Sequence, residues 1–178
     1  IGADIINSSL GYTTFDTIID DHTYEDMDGN TTVITKAADR AAAVGILVCN
    51  SAGNEGDGSW YYIGAPADGD SVFTIGAVDI NGNSVSYSSH GPTFDGRLKP
   101  NVVGQGAGTG VVASNGTVAY GNGTSYSSPL IAGACASFMS AFPELSNMEV
   151  MDIIQSTASQ ADNPDNSMGY GIPNFAKA

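Results

Sequence analysis

The chain has 178 residues, which suits one globular domain, and 42% of them are hydrophobic, enough for a proper core. Lysine and arginine number only 5 against 19 aspartates and glutamates, so the formal net charge is −14. Such an acidic surface repels phosphate backbones and anionic lipid, so neither nucleic acid nor a membrane is expected as a partner. No apolar run approaches the length of about 18 residues that a membrane span needs.

The first third of the chain predicts a strand, a loop and a helix. Ala3–Ser8 has the pattern of a short buried strand, and a polar, acidic loop follows from about residue 13 to residue 30. The length of this loop favours an excursion or a binding loop over a tight connection. Thr31 or Thr32 can then cap a helix whose apolar residues repeat at helical spacing, and Gly45 suits the position just beyond its end.

Two apolar strands come next. Ile46–Cys49 is a continuous apolar run, typical of a strand buried on both faces of a sheet, and Val72–Val78 has the pattern of a third strand. A strand, a helix and a strand at this spacing form a βαβ unit, so the sequence predicts an α/β fold with a mostly parallel sheet flanked by helices. Asn81-Gly82 predicts a hairpin turn before Val85–Tyr87.

The last third of the chain predicts another hairpin, around Asn115-Gly116, and two helices. The first helix follows Ser125, and because it is apolar or small-sided around its whole circumference we expect it to be central and buried. Pro129 lies near its start, where a missing N–H is tolerated. Ser146–Glu149 has the sequence of a capping box and opens the last helix.

Cys49 and Cys135 are the two cysteines of the chain, and each lies in an apolar run. The simplest interpretation is a pair of buried free thiols, since a disulfide requires the two segments to be neighbours. Two cysteines do not make a zinc site, so zinc is set aside.

The chemistry of the chain is expected in two glycine-containing motifs. In the segment 121–129, Ser125 lies at the start of a helix, where unpaired backbone N–H groups and the helix dipole can stabilise a developing oxyanion. Gly121 and Gly123 leave room for the backbone of a substrate. On this motif alone, a plain helix N-cap is the stronger interpretation of Ser125.

The other motif, Ser51–Gly56, directly follows an apolar strand. Its asparagine, Asn54, stands at the carboxyl end of that strand, where it can point its amide into the crevice in which open α/β sheets bind ligands. The alternative is an ordinary turn. The presence of both motifs in one chain favours the functional interpretation of each.

Together the motifs resemble the signature of the subtilisin-like serine peptidase family, in which Gly-Thr-Ser is followed by small residues and a proline and an Ala-Gly-Asn-Glu-Gly segment lies upstream. Further blocks extend the resemblance over nearly the whole chain: Asn7–Gly11, Ser88–Pro92, Lys99–Val103 and Gly169–Asn174. The resemblance implies a three-layer subtilisin-like fold, incomplete on its N-terminal side. It also makes residues 1–178 a single domain, the C-terminal portion of a peptidase catalytic domain that bears the nucleophilic serine.

The resemblance implies roles for individual residues. Ser125 would attack the peptide carbonyl and form an acyl-enzyme, while the side-chain amide of Asn54 and the backbone N–H of Ser125 would hold the oxyanion. Glu55, at the rim of the pocket for the P1 side chain (the one before the scissile bond), would favour basic or polar P1 residues. The Ala65-Pro66 bond is a candidate cis peptide. The other residues expected to bind substrate are Ser9, Leu10, Gly11, Ser51, Ala52, Gly53, Gly64, Ala65, Pro66, Ala67, Gly123 and Thr124.

The family's mechanism also needs a histidine base and an aspartate that orients it, in blocks upstream of the Ser-Leu-Gly strand. Neither the Asp-x-Gly nor the His-Gly-Thr-His pattern of those blocks occurs here. His22 lies in an acidic loop and His90 in a Ser-Ser-His-Gly-Pro turn, so neither has the setting of the base. We therefore expect a fragment with negligible peptidase activity of its own, whose partners are a peptide or protein substrate and the absent Asp- and His-bearing portion.

Two other functions fit parts of the pattern. A catalytically dead, subtilisin-like binding or scaffold module has no need of an intact Gly123-Thr124-Ser125 and Asn54, and both are present. An unrelated α/β hydrolase would carry Gly-x-Ser-x-Gly, but Ser127 stands where the second glycine of that pattern belongs.

No cofactor is expected beyond the structural calcium that members of the family often bind. Asp26–Asn30 superficially resembles a calcium loop, but its glycine is misplaced and Ala37 stands where a bidentate carboxylate is needed. A solvated acidic loop is therefore the simpler interpretation of this segment. The family resemblance further implies a secreted, extracytoplasmic protein.

Overall fold

The computed structural model describes residues 2–178, and its centre is a four-stranded parallel sheet. The strands lie side by side in the order β1 (Ile5–Ser8), β2 (Leu47–Ser51), β3 (Val72–Val78) and β4 (Val102–Gln105). Helix α1 (Val33–Ala43) precedes β2. An antiparallel hairpin follows β4, then two helices: β5 (Thr109–Val112), β6 (Val118–Gly121), α2 (Thr124–Ala141) and α3 (Asn147–Ser156).

Helices cover both faces of the sheet, because successive side chains of a strand point to opposite faces. Leu47 and Cys49 of β2 belong to a core cluster with residues of α2 and α3. Val48, between them, belongs to a second cluster with Ala42 of α1. The fold is thus the three-layer α/β arrangement with a parallel sheet that the βαβ pattern predicts.

The register of the sheet determines where the site can form. Ser8 at the end of β1 pairs with Asn50 of β2, and Ser51 at the end of β2 pairs with Ile75 of β3. The segments that leave β1 and β2 therefore emerge next to each other at one edge of the sheet. This edge is where open parallel sheets bind their ligands.

The helix and strands of the βαβ unit agree with the sequence. The side chain of Thr32 caps α1 by accepting a hydrogen bond from the N–H of Thr35, and Gly45 adopts a φ of 95° just beyond the helix end. All five residues of β2 are buried, as expected for a strand covered on both faces. The acidic loop contains two single 3₁₀ turns, Ile18–Asp20 and Tyr24–Asp26.

Two predicted strands were wrong in part. The strand predicted over Ala3–Ser8 begins at Ile5 and is not buried: Ile6 is 39% exposed, because within residues 2–178 no strand lies on the outer side of β1. Asn81-Gly82 does form a turn, but Val85–Tyr87 is not a strand. Only Ser84 bridges back to β3, since a second turn follows at once.

Helix α2 is not buried around its circumference. It packs on the sheet through Ile131, Cys135 and Phe138, whereas Leu130 is 50% exposed. Of its small residues on the other side, Gly133 and Ala136 are exposed, whereas Ala132 is buried in the core. Pro129 also lies deeper than expected, inside the helix rather than in its first turn. Within residues 2–178 no helix combines the length and hydropathy needed to cross a bilayer.

Both cysteines are fully buried and free, in keeping with the interpretation as buried thiols. Cys49 of β2 and Cys135 of α2 are nevertheless neighbours. A hydrogen bond between the two thiols, together with burial, raises the pKa of Cys49 well above its ordinary value. Such a thiol is neutral and weakly reactive, so the pair belongs to the core.

The cap of α1 offers a test of the fold. Thr32→Ala is expected to lower the free energy of unfolding by about 1–2 kcal/mol, because the N–H of Thr35 loses its acceptor. Thr14→Ala is the matched control, since Thr14 is exposed and its side chain makes no hydrogen bond in the described structure. Urea unfolding of both variants measures the difference, and equal midpoints would contradict the assigned cap.

Candidate active site

A cavity of about 180 Å³ lies where the segments after β1 and β2 meet the first turn of α2. Three parts of the chain supply most of its wall, each directly following or starting an element of the fold. Its lining residues are Ser9, Gly11, Tyr12, Thr13, Ser51, Ala52, Gly53, Asn54, Glu55, Trp60, Tyr62, Gly64, Ser89 and Ser125.

The N-terminus of α2 is capped by a side chain from another segment. Gly123 occupies the N-cap position and has no side chain to offer. The Asn54 Oδ1 atom accepts instead, from the N–H of Thr124 at 2.8 Å and from the Thr124 hydroxyl at 3.1 Å. Because Oδ1 is engaged in this way, the Nδ2 group of Asn54 is the half of the amide left to donate into the cavity.

A second link joins the same two segments. The Thr124 hydroxyl lies 3.2 Å from both the backbone N and the backbone O of Gly53. Gly53 has a φ of 108°, and a Cβ atom there would lie 2.8 Å from Ser89 Oγ. A glycine is therefore required on sterics as well as on conformation. Thr124 itself is fully buried, so this contact is shielded from water.

Ser125 is the second residue of α2, so the interpretation as a plain N-cap is wrong. Its hydroxyl lies 3.4 Å from the carbonyl oxygen of Ser9, which it can reach as a donor. The Ser9 hydroxyl in turn donates to the Ser125 carbonyl at 3.1 Å. That carbonyl is available because its helical partner would be the N–H of residue 129, and Pro129 has none.

Both histidines are engaged elsewhere. His22 packs edge-on against Phe15, with ring centroids 5.2 Å apart. His90 stacks on Tyr61 at 4.6 Å, and its Nδ1 lies 3.1 Å from Ser167 Oγ. Burial lowers the pKa of His90, against the opposing effects of a backbone hydrogen bond and of Asp165. In the described part of the chain neither imidazole hydrogen-bonds to Ser125, in keeping with the expectation from sequence.

The sequence-predicted residues fall into two groups. The cavity brings nine of them together: Ser9, Gly11, Ser51, Ala52, Gly53, Asn54, Glu55, Gly64 and Ser125. The others do not line it: Leu10 is 57% exposed, and Ala65, Pro66, Ala67, Gly123 and Thr124 are buried behind the wall. The buried residues of this second group can support the wall of the cavity, but they do not line it.

The base of the cavity is tied to its opposite wall. The N–H of Tyr12 donates to the carbonyl of Ala65 at 2.9 Å, which joins the segment after β1 to the segment that carries Gly64. The Ala65-Pro66 peptide is cis, as the sequence suggested. Glu55 is the one charged residue among those that line the cavity.

Sequence reasoning missed five lining residues: Tyr12, Thr13, Trp60, Tyr62 and Ser89. Tyr12 and Thr13 directly follow the predicted Ser9–Gly11 strand, so their proximity was a usable signal. Trp60 and Tyr62 lie in an irregular segment without periodicity, and only the fold brings them to the cavity.

Comparisons with known proteins agree with this geometry. Residues 1–171 match the model of the "Subtilase family". The chain belongs to the subtilase family. It is 37% identical to subtilisin DY of Bacillus licheniformis over 171 residues, 96% of this chain and 54% of that protein. It is 34% identical to subtilisin E of Bacillus subtilis (strain 168) over 169 residues, which cover 94% of this chain and 38% of that protein.

Solved structures show the same fold. The prenylagaramide maturation protease PagA superposes with a TM-score of 0.75 at 22% identity, covering 99% of this chain and 60% of that chain. The self-cleaved protease domain of PatA gives a TM-score of 0.75 at 21% identity, with the same coverage. The chain covers 54% of subtilisin DY and 38% of subtilisin E, so it spans about half or less of the length of these relatives.

The residues of the acidic loop do not fit a calcium site. The Asp28 carboxylate already accepts bonds from the N–H groups of Asn30 and Thr31, which helps to lower its pKa. The Asp26 carboxylate is likewise used within its own turn, by Thr23. Within residues 2–178 no three side chains of the histidine, cysteine, aspartate and glutamate types cluster as metal ligands.

The N-cap of α2 yields a prediction with an internal control. Gly123 has a φ of 146° and a ψ of 152°, a region that essentially only glycine occupies, so Gly123→Ala is expected to cost about 1–3 kcal/mol of stability. Gly133→Ala, in the same helix and with open space around its Cα, is expected to add about 0.5–1 kcal/mol. Thermal unfolding measures both, and a neutral Gly123→Ala would contradict the assigned backbone.

Proposed function

We propose that this chain carries the nucleophile and the oxyanion hole of a serine endopeptidase. The observation that carries the proposal is the 2.8 Å hydrogen bond from the Thr124 N–H to Asn54 Oδ1. It fixes the orientation of the Asn54 amide, whose Nδ2 group lies 3.6 Å from where a Cβ of Gly123 would be, at the residue that caps α2. A side-chain donor held rigidly near a serine at a helix N-terminus is the arrangement that acyl transfer requires.

The proposed reaction runs through a covalent intermediate. Ser125 Oγ attacks the carbonyl carbon of the scissile peptide, and the carbonyl oxygen acquires negative charge. The Asn54 amide and the Ser125 N–H donate to that oxygen, since the first N–H groups of a helix have no intrahelical acceptors. The leaving amine departs with a proton, and water then hydrolyses the acyl-enzyme.

The base that takes the serine proton and the acid that orients it are proposed to come from polypeptide outside these 178 residues. Two features support this assignment. β1 is an edge strand, and the outward side of α2 is open. Between them lies a second cavity of about 410 Å³, lined by Asp4, Ile5, Ala136, Met139, Ser140, Pro143 and Leu145. This cavity lies at the start of β1 and the C-terminal half of α2, so it marks open surface along this edge, whereas the base itself would have to lie at the opposite end of α2, next to Ser125.

The proposed substrate is a peptide or protein, bound along the segments after β1 and β2. Glu55 is the one charged group among the lining residues, so a basic or polar P1 side chain is favoured and an acidic one is opposed. An extracytoplasmic location is also part of the proposal, and it is based on membership of the subtilase family.

The first test of this function is labelling with a fluorophosphonate, which reacts with activated serines. The chain alone is expected to remain unlabelled, because no described histidine takes the proton of Ser125. The chain combined with the Asp- and His-bearing portion is expected to be labelled at Ser125, and Ser125→Ala in the same combination is the control. Stoichiometric labelling of the isolated chain would contradict the assignment of the base.

The second test concerns the oxyanion hole in the complete protein. Asn54→Ala is expected to lower kcat by about 10²–10³, as measured for the oxyanion-hole amide of a subtilisin. Little change in KM is expected, because the amide interacts more strongly with the oxyanion than with the ground-state carbonyl. The matched control is Asn81→Ala, since Asn81 is an exposed asparagine in a turn away from the cavity. Peptide hydrolysis under steady-state conditions separates the two constants, and an unchanged kcat would remove Asn54 from the mechanism.

A further inference from the structure

A buried lysine lies behind the cavity. Lys99 is only 2% exposed, yet its ammonium group makes no contact with the proposed catalytic residues. Four oxygen atoms surround Nζ: the carbonyls of Gly69 at 2.9 Å and Val72 at 2.7 Å, Thr74 Oγ1 at 3.0 Å and Asn101 Oδ1 at 3.1 Å. An ammonium has three N–H donors and no acceptor, so this cage of oxygens matches its chemistry.

The cage holds the turn that follows the cis proline. The Thr74 hydroxyl accepts a hydrogen bond from Lys99 and donates one to the carbonyl of Ala67 at 2.6 Å. The carbonyl of Asp68 accepts from Arg97 Nη1 at 2.7 Å. Three consecutive carbonyls, those of residues 67–69, are therefore fixed by side chains from other parts of the chain. Residues 65–69 are buried, so these carbonyls need partners inside the protein, and the three side chains supply them.

Lys99 is held by dipoles rather than by an ion pair. The salt bridges of the described residues belong to Arg97, with Asp70 and Asp95. The nearby Asp68 carboxylate is committed to Thr35 Oγ1 at 2.6 Å and other donors. Burial lowers the pKa of Lys99 to about 7. Burying a charge without an ion pair is costly, so the four oxygens offset a large desolvation penalty.

The anchored turn leads directly into the cavity. The N–H of Ala67 donates to the carbonyl of Gly64 at 2.8 Å, and that of Gly69 donates to Pro66 at 3.1 Å. Gly64 lines the cavity, and Ala65 next to it bonds to Tyr12 of the opposite wall. Residues 64–69 thus form one compact unit, with the Lys99 cage at one end and the cavity at the other.

We propose that Lys99 is a positioning residue for the substrate pocket: by donating hydrogen bonds to the oxygens around it, its Nζ group fixes the 64–69 unit and so sets which side chains fit between Gly64 and Tyr12. This inference rests on the proposed function, because it takes the cavity to be the P1 pocket. Lys99 touches neither the substrate nor Ser125, and its effect is on selectivity rather than on the chemical step.

The test measures selectivity by binding, so it does not require a complete catalytic site. The probes are N-acetylated tetrapeptides that differ only in the C-terminal residue, which is alanine, phenylalanine or lysine, and calorimetry gives the Kd of each for the chain. In Lys99→Met the side chain keeps its approximate volume but removes one donor from each of the four oxygens, of which Asn101 Oδ1 still accepts from the N–H of Thr74. The ratio between the weakest and tightest Kd is expected to fall by about tenfold, the size expected when a buried hydrogen-bonded anchor is lost.

Two further variants keep the test independent of folding. Lys99→Gln retains two N–H donors, so its Kd ratio is expected to lie between those of the wild type and Lys99→Met. Thr74→Val leaves Lys99 in place but removes one oxygen of the cage and the bond to Ala67, so it is expected to lower the ratio as well. Ile154→Val is the matched control, since Ile154 is a buried core residue of α3 and does not line the cavity.

The outcomes separate this inference from the proposed function. A wild-type chain that binds none of the peptides overturns the pocket and the inference together. A wild-type chain that discriminates among them, with Lys99→Met and Thr74→Val retaining the same ratio, overturns the inference alone. An equal fall in the ratio for Ile154→Val, at a matched loss in Tm, also overturns it, because Lys99 would then act only through general stability.

Discussion

The hydrogen bond between Asn54 Oδ1 and the Thr124 N–H holds the two halves of the site together. One partner lies in the loop after β2, three residues beyond the strand, and the other begins α2, seventy positions later in the chain. The bond forms because β2 runs parallel to its neighbours and ends at the same edge where α2 starts. A helix that begins with a glycine needs a foreign cap, and an amide supplies it while keeping its own N–H₂ group free.

Helix α2 carries this arrangement into the core. It contacts all four strands of the sheet, and Cys135 meets Cys49 of β2 directly beneath the site. Any displacement of α2 along its axis would have to move a close-packed interior. The position of Ser125 is therefore determined by the packing of residues such as Ile131 and Phe138 as much as by its immediate neighbours.

Much of the fold could be predicted because its signals are local. The cap at Thr32, the glycine after α1 and the apolar run of β2 each express one rule of backbone or burial. β4 was not predicted as a strand, since Val102–Gln105 has four residues and includes a glycine. The open side of α2 was mistaken for a buried one, because small apolar residues look the same in sequence whether or not a partner covers them.

The residues of the candidate site also divide into those that could be predicted from the sequence and those that could not. Ser125, Asn54 and Gly53 could be predicted because their two motifs occur together in the order of a family signature, although neither motif is specific alone. Trp60 and Tyr62 could not, since they reach the cavity only through the course of an irregular loop. The oxygen cage of Lys99 could not be predicted from the sequence either, because two of its four oxygens belong to the main chain.

The proline inside α2 changes the hydrogen-bonding partner of the Ser125 carbonyl. Because Pro129 cannot donate to the Ser125 carbonyl, that oxygen bonds across to the Ser9 hydroxyl, on the segment expected to pair with a substrate. Ser125, the proposed nucleophile, is thereby linked by a hydrogen bond to the wall on which a peptide would lie. A substrate bound along residues 9–11 would act on the position of Ser125 through this bond, so that substrate binding and the orientation of the hydroxyl would be coupled.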